Sequence, residues 1–224
     1  MNKLILVFVF IAILILASFV RDNKKKIIFF GDSITQAGVQ PHGYITVMQD
    51  MLQQQGITNY ELTGAGIGGN KVYDLYLRMD SDVMIKSPDI VVIYVGVNDV
   101  WHKKTYGTGT DADKFEKFYR AIIAKLQANN TKVIVCTPAT IGEKTDYSNE
   151  LDGDLNKYSN IIRSMAADLN LPLVDLHKAF HDYDVANNTT NTDRGILTTD
   201  GVHLNDKGNQ MVAELMWDVI KDVK

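Results

Sequence analysis

Beyond residue 25 the sequence keeps one rhythm, and that rhythm limits the fold more than any other feature in it. Short apolar runs alternate with longer stretches whose apolar residues recur at helical spacing. The runs read as strands over Lys26 to Phe30, Asn59 to Thr63, Ile90 to Val95, Lys132 to Thr137 and Leu173 to Asp175. Ile90 to Val95 is mostly β-branched and is bounded by Pro88 and Gly96, which suits a strand buried on both faces. The longer stretches predict helices over Tyr44 to Gln55, Lys71 to Asp80, Asp113 to Ala128, Asp154 to Leu169 and Asn205 to Val219, the last capped by Asn205 or Asp206. His177 and His181 fall in a further helix after the fifth strand. Such alternation, with short connections, implies an α/β fold with a parallel sheet covered by helices on both faces. Ligands of such sheets bind at the carboxyl ends of the strands. Polar loops are expected over Val100 to Asp111, Pro138 to Gly153 and Tyr183 to Thr199.

The first 25 residues do not share this rhythm. Leu4 to Val20 carries no charge; Lys3 precedes it, and Arg21, Lys24, Lys25 and Lys26 follow. The run is longer than a usual signal core and slightly short for a spanning helix. Small residues occur at Ala17 and Ser18, but the bulky Ile15 and Leu16 two positions earlier spoil a cleavage site. Residues 1–25 are therefore expected to be an export signal or a membrane anchor, and 26–224 a single folded domain. The expected location is extracytoplasmic (periplasmic or secreted), with membrane contact through residues 4–20 if they are not removed.

Composition narrows the class. With 46% hydrophobic and 22% charged residues, the chain is neither disordered nor fibrous. A net charge of -4 gives no overall basic field to attract nucleic acid. The single cysteine, Cys136, closes an apolar run and reads as a buried strand residue, not as a nucleophile. No His, Cys, Asp or Glu cluster has metal-ligand spacing, so neither metal nor cofactor is expected.

Four short motifs carry the chemistry. Gly31-Asp32-Ser33-Ile34-Thr35 follows the first strand directly, which places Ser33 at the sheet's active edge. Taken alone, Ser33 reads more readily as a helix cap than as a nucleophile. Gly64-Ala65-Gly66-Ile67-Gly68-Gly69-Asn70 follows the second strand. It matches a dinucleotide fingerprint in letters, but that motif belongs after the first strand and needs an acidic residue ending the next. The next strand here ends in Val95-Gly96-Val97, so a turn that brings a backbone N–H to a substrate oxygen is the better functional reading. Gly96-Val97-Asn98-Asp99 offers the Asn98 amide at the same edge, or an Asx-turn. Asp200-Gly201-Val202-His203 stands just before the last helix. A serine nucleophile needs an imidazole base, and the imidazole needs an acceptor on its other nitrogen; Asp-x-x-His supplies both in one loop.

Together, in this order and spacing, the four motifs resemble the SGNH or GDSL hydrolase family across nearly the whole chain after the leader. The resemblance implies a flavodoxin-like three-layer α/β/α sandwich with a five-stranded parallel sheet. It also implies Ser33 as nucleophile, His203 as base and Asp200 as its orienting carboxylate. The Ser33 N–H, the Gly66 N–H and the Asn98 side chain would form the oxyanion hole. The second motif departs from the family in having Gly64 where asparagine is usual, and Ile34 stands in place of leucine. His42, Trp101, His102 and Tyr106 lie near the predicted active edge as candidate pocket residues. The expected activity is hydrolysis of carboxylic esters through an acyl-enzyme, with short acetyl groups on carbohydrate favoured because the loops are polar and carry no long apolar lid. The competing readings are an acyltransferase using the same triad, a lysophospholipase-type lipid esterase, and a non-enzymatic exported binding module. The binding module alone would not require Ser33, Asp200 and His203 to converge.

Overall fold

The computed structural model describes residues 24–223, so the expected leader, Leu4 to Val20, lies outside the described residues. Five parallel strands form one sheet: β1 (Lys25–Gly31), β2 (Tyr60–Gly66), β3 (Ile90–Tyr94), β4 (Lys132–Cys136) and β5 (Leu173–Val174). Their order is β2-β1-β3-β4-β5. β1 pairs with both β2 and β3, with Gly31 level with Gly66 on one side and with Tyr94 on the other. The described residues also form the α-helices α1 (Ser33–Gly38), α2 (Tyr44–Gln54), α3 (Val72–Asp82), α4 (Val97–Thr105), α5 (Ala112–Ala128), α6 (Asp152–Asp168), α7 (Leu176–Asn187) and α8 (Asp206–Ile220).

Strand alternation sorts the core into two layers. Ile27 and Phe29 of β1 point to one face and pack with Met48 of α2, Phe180 of α7 and Met216 of α8. Ile28 and Phe30 point to the other and pack with Leu75 of α3, Ile122 of α5 and Ile162 of α6. The central strands β1 and β3 are thus buried on both faces, and their sequences read as unbroken apolar runs for that reason. Cys136 sits wholly buried at the end of β4, where desolvation pushes its thiol far above its ordinary value.

Three segments differ from the sequence reading, the simplest being Tyr183 to Asn187, which continue helix α7 where a loop is expected. Gly64 to Gly66 continue β2 and do not open the turn; the turn begins at Ile67. A Cβ on Gly66 would collide with the backbone of Thr35 and Gln36, so only glycine lets α1 lie this close over β2. The expected loop over Val100 to Asp111 is helical up to Thr105, which puts Trp101 and His102 on α4. The last helix is capped by Asn205, whose side chain accepts the Gly208 N–H at 2.9 Å. Among the described residues no helix is long and apolar enough to cross a membrane.

Candidate active site

Strand β1 delivers the first functional residue. Asp32 follows the strand and caps α1 by accepting the Ile34 N–H at 3.0 Å. Ser33 is then the first residue of α1, where a backbone N–H has no partner inside its own helix. Asp32 is buried, and desolvation raises its carboxyl to about 7 against the opposing pull of the Ile34 N–H and of His203.

The Asp200–His203 loop meets Ser33 from across the sheet's carboxyl edge. Ser33 Oγ lies 3.0 Å from His203 Nε2. His203 Nδ1 lies 2.8 Å from Asp200 Oδ2. With Nδ1–H donating to the carboxylate, Nε2 is left free to accept the serine proton. The other Asp200 oxygen accepts the N–H of Val202 at 3.0 Å and that of His203 at 2.8 Å. Burial alone would raise the Asp200 carboxyl; the hydrogen bonds from the His203 ring and from these two backbone groups outweigh it and hold the group below the usual carboxylate range. The His203 and Asp200 side chains keep 37% and 46% of their surface exposed, so the site is open to bulky substrates.

The turn after β2 and the start of α4 complete the edge. Asn98 is buried, and its Nδ2 donates one hydrogen to Asn70 O at 3.1 Å, leaving the second. Within the turn, the Gly68 N–H donates to Gln36 Oε1 at 2.8 Å and the Asn70 N–H to Ile67 O at 3.3 Å. No acceptor among the described residues takes the Gly69 N–H, and Gly69 adopts φ +75°, a conformation that favours glycine. Gly66, the expected backbone donor, ends β2 beneath α1 instead of lying in this turn.

The four candidate pocket residues divide. Trp101, His102 and Tyr106 form a row of rings, with centroids 5.8 Å and 4.9 Å apart. His102 borders the Gly69 turn; its imidazole is held below its ordinary value by burial and then by the charge of Lys71. His42 stands apart, exposed at φ 67° between α1 and α2, and no hydrogen bond or ring contact ties it to the triad. Among the described residues, no group of three His, Cys, Asp or Glu is placed to hold a metal ion.

Two residues absent from the sequence reading hold this edge together. Arg78 of α3 donates to Gly31 O at 2.7 Å, to Ala65 O at 3.0 Å and to Asn70 Oδ1 at 2.6 Å, with its guanidinium over the Phe30 ring. It therefore ties together the ends of β1 and β2 and the turn beyond. Glu143, in the loop after β4, is buried and accepts the N–H groups of Ile196, Leu197 and Thr198 at 2.7, 2.8 and 2.6 Å, and the Thr198 hydroxyl at 2.8 Å. Thr198 Oγ1 in turn accepts the Gly201 N–H at 3.0 Å, which carries the anchor into the Asp200–His203 loop. Neither residue belongs to a local motif, so only the fold reveals them.

A five-stranded parallel α/β/α sandwich with Ser33, His203 and Asp200 in one hydrogen-bonded row at its carboxyl edge defines a hydrolase class. The chain belongs to the GDSL-like lipase/acylhydrolase family, whose profile matches residues 29–211, and it is an ester-hydrolysing enzyme. A crystal structure of an acetyl xylan esterase, AlAXEase, superposes with a TM-score of 0.86 at 66% identity, covering 87% of this chain and 99% of that one. An acetylxylan esterase from Geobacillus stearothermophilus is 28% identical over 180 residues, which is 71% of this chain and 80% of the relative. The crystal structure of a mutant of Axe2, an acetylxylan esterase from the same organism, shares the fold, with a TM-score of 0.78 at 24% identity over 89% of this chain and 95% of that one.

Proposed function

We propose that this enzyme is a serine esterase that removes acetyl groups from an acetylated carbohydrate, xylan-type chains first among them. The unbroken row from Ser33 through His203 to Asp200, at 3.0 and 2.8 Å, carries the reading. The 66% identity to an acetyl xylan esterase supports the substrate class. The half-exposed His203 and Asp200 fit an acetyl group presented on a long polar chain.

In the proposed reaction His203 Nε2 takes the Ser33 proton as Oγ attacks the acetyl carbonyl carbon. The tetrahedral intermediate places its oxyanion before the Ser33 N–H and the second hydrogen of Asn98 Nδ2. The third donor is assigned to the Gly69 N–H, not to Gly66, because Gly69 lies in the turn that Asn98 holds and its N–H is uncommitted. The imidazolium returns the proton to the sugar oxygen, which leaves as an alcohol. Water then releases acetate from the acyl-enzyme by the same steps. Asp200 keeps the imidazole in the tautomer that can accept at Nε2.

The test is acetate release from acetylated xylan and from p-nitrophenyl acetate, with covalent labelling by an organophosphonate. Ser33→Ala is expected to lose labelling and to lower turnover on the order of 10³-fold or more with the fold intact. Turnover within a few fold of the parent would refute Ser33 as nucleophile. The uncharged run from Leu4 to Val20 further supports export, with this run as signal or anchor. N-terminal sequencing of protein recovered from the membrane and soluble fractions tests that placement.

A further inference from the structure

A cavity of about 380 Å³ opens beside the catalytic loop, between the segment that follows β4 and helix α7. It lies on the same edge of the sheet as Ser33, because Ala139 and Thr140 line it and they follow the carboxyl end of β4. In the strand order β1-β3-β4, two strand spacings separate the two places, roughly 10 Å. One wall is shared with the active site: the Gly142 N–H donates to Gly201 O at 2.7 Å, next to Asp200.

Two groups in the lining wait as acceptors. Asp184 of α7 is 3% exposed, and its Oδ1 has no hydrogen-bond partner among the described residues. A buried polar atom without a partner is costly, and native structures seldom keep one without a use. Desolvation, and then the nearby Glu143, raise the Asp184 carboxyl to about 7. His177 Nδ1 lies 2.9 Å from Ala139 O; burial first of all depresses this imidazole, so the neutral ring donates there and presents Nε2 as an acceptor. Two of the three lysine and arginine side chains that line the cavity are committed, and the third, Lys144, has no ion pair among the described residues. Arg163 pairs with both oxygens of Asp175 at 2.8 Å and donates to Asn160, and Lys178 pairs with Asp182 at 2.5 Å. A ligand rich in hydroxyl groups would supply donors to the acceptors of Asp184 and His177 and oxygens to the Lys144 ammonium.

Tyr147 stands on the rim. It is 86% exposed and adopts φ 64°, a left-handed conformation that is strained for a bulky side chain. Such strain persists where the surroundings fix it, and it gathers at functional positions. An exposed ring beside a hydroxyl-seeking cavity is the arrangement that holds a sugar: the ring covers the apolar face of the pyranose while the cavity takes its hydroxyls.

We propose that this cavity, with Asp184 and His177 inside and Tyr147 at its mouth, is a saccharide subsite that binds an unacetylated sugar unit of the same chain whose acetyl group lies at Ser33. The proposal rests on the carbohydrate reading of the active site and extends it from the acyl group to the polymer. The probes are unacetylated xylohexaose for binding, by calorimetry, and acetylated xylo-oligosaccharides against p-nitrophenyl acetate for turnover. The parent is expected to bind xylohexaose, and Tyr147→Ala, at an exposed position that leaves the core untouched, to weaken that binding at least fivefold. Its kcat/KM for acetylated oligosaccharide should fall by a similar factor relative to its kcat/KM for p-nitrophenyl acetate, through KM. Asp184→Asn should also weaken xylohexaose binding, with no change in the Ser33 labelling rate. Undetectable binding to the parent at millimolar xylohexaose, or equal binding by parent and Tyr147→Ala, overturns the subsite. Loss of p-nitrophenyl acetate hydrolysis in the parent would instead overturn the esterase reading, so the two failures are told apart.

Discussion

The two halves of the candidate site, that of the proposed nucleophile and that of the proposed base, are held by opposite means. On the nucleophile side, Ser33 leaves a strand buried on both faces, and the guanidinium of Arg78 gathers two carbonyl oxygens and one side-chain oxygen at the strand ends. On the base side, His203 and Asp200 have no strand beneath them, and the carboxylate of Glu143 gathers three backbone N–H groups and a hydroxyl. One charge satisfies acceptors where the sheet stops; the other satisfies donors where a loop has no ladder. Buried backbone groups must find partners, and each side shows which kind it was short of. The sheet makes the first side rigid with or without Arg78. The second side depends on carboxylates, Glu143 for the flanking segment and Asp200 for its own loop.

Four substitutions sharpen or break this comparison, from the largest effect to the smallest. Asn98→Ala, on the nucleophile side, should lower kcat by about 10²–10³-fold with a smaller change in KM, since the bond forms mainly in the transition state; a change confined to KM would assign Asn98 to substrate binding. Glu143→Ala strands four donors and is expected to destabilise the fold by about 3 kcal/mol or more and to lower kcat well beyond what unfolding explains. Glu143→Gln, which keeps Oε1 as an acceptor, should recover much of both; equal damage from the two variants in urea unfolding and steady-state kinetics would refute positioning by the carboxylate. Arg78→Lys keeps the charge but not the fork and should cost about 1–2 kcal/mol, with kcat reduced less than in Glu143→Ala. The reverse order of those kcat losses would break the contrast between the two sides.

A separate effect is one of pH. Asp99 is buried where α4 meets α3 and accepts the Val72 N–H at 3.1 Å; desolvation raises its carboxyl from 3.8 to about 7. Below about pH 4 the group is protonated folded or unfolded and costs nothing. Between about pH 4 and 7 the unfolded chain releases this proton while the folded chain keeps it, so stability falls as pH rises, by about 1.4 kcal/mol per pH unit at most. Above 7 the loss is complete. Asp99→Asn should remove that slope, and thermal unfolding of the two proteins between pH 4 and 8 checks it: the parent should lose Tm relative to the variant as pH increases.

Much of the architecture was legible because burial writes itself into sequence. Ile27 to Phe30 and Ile90 to Tyr94 face helices on both sides and therefore run apolar without a break. The edge strand β2 is only partly buried, so its composition is mixed and its end was misjudged: glycines at 64 and 66 resemble a turn but serve the close approach of α1. Helix α4 was read largely as a loop because Trp101 to Thr105 carries polar side chains on the exposed side of a short element. Ser33, Asp200, His203 and Asn98 stood in motifs, and the structure brings them to one edge. Glu143 could not be read, since its partners stand 53 to 55 residues away and a lone glutamate in a polar loop has no signature. Arg78 was hidden for the same reason, in an ordinary amphipathic helix.

The hydrogen bond between Ser33 and His203 joins residues 170 positions apart, nearly the full span of the domain. At about 5–20 residues per second of synthesis, a ribosome needs on the order of ten seconds or more between making Ser33 and making His203. During that interval the nascent chain carries a serine with no partner and is catalytically silent. Hydrolysis by the proposed triad therefore waits until the Asp200–His203 loop has closed on Ser33, which makes its appearance a clock for nearly the whole fold.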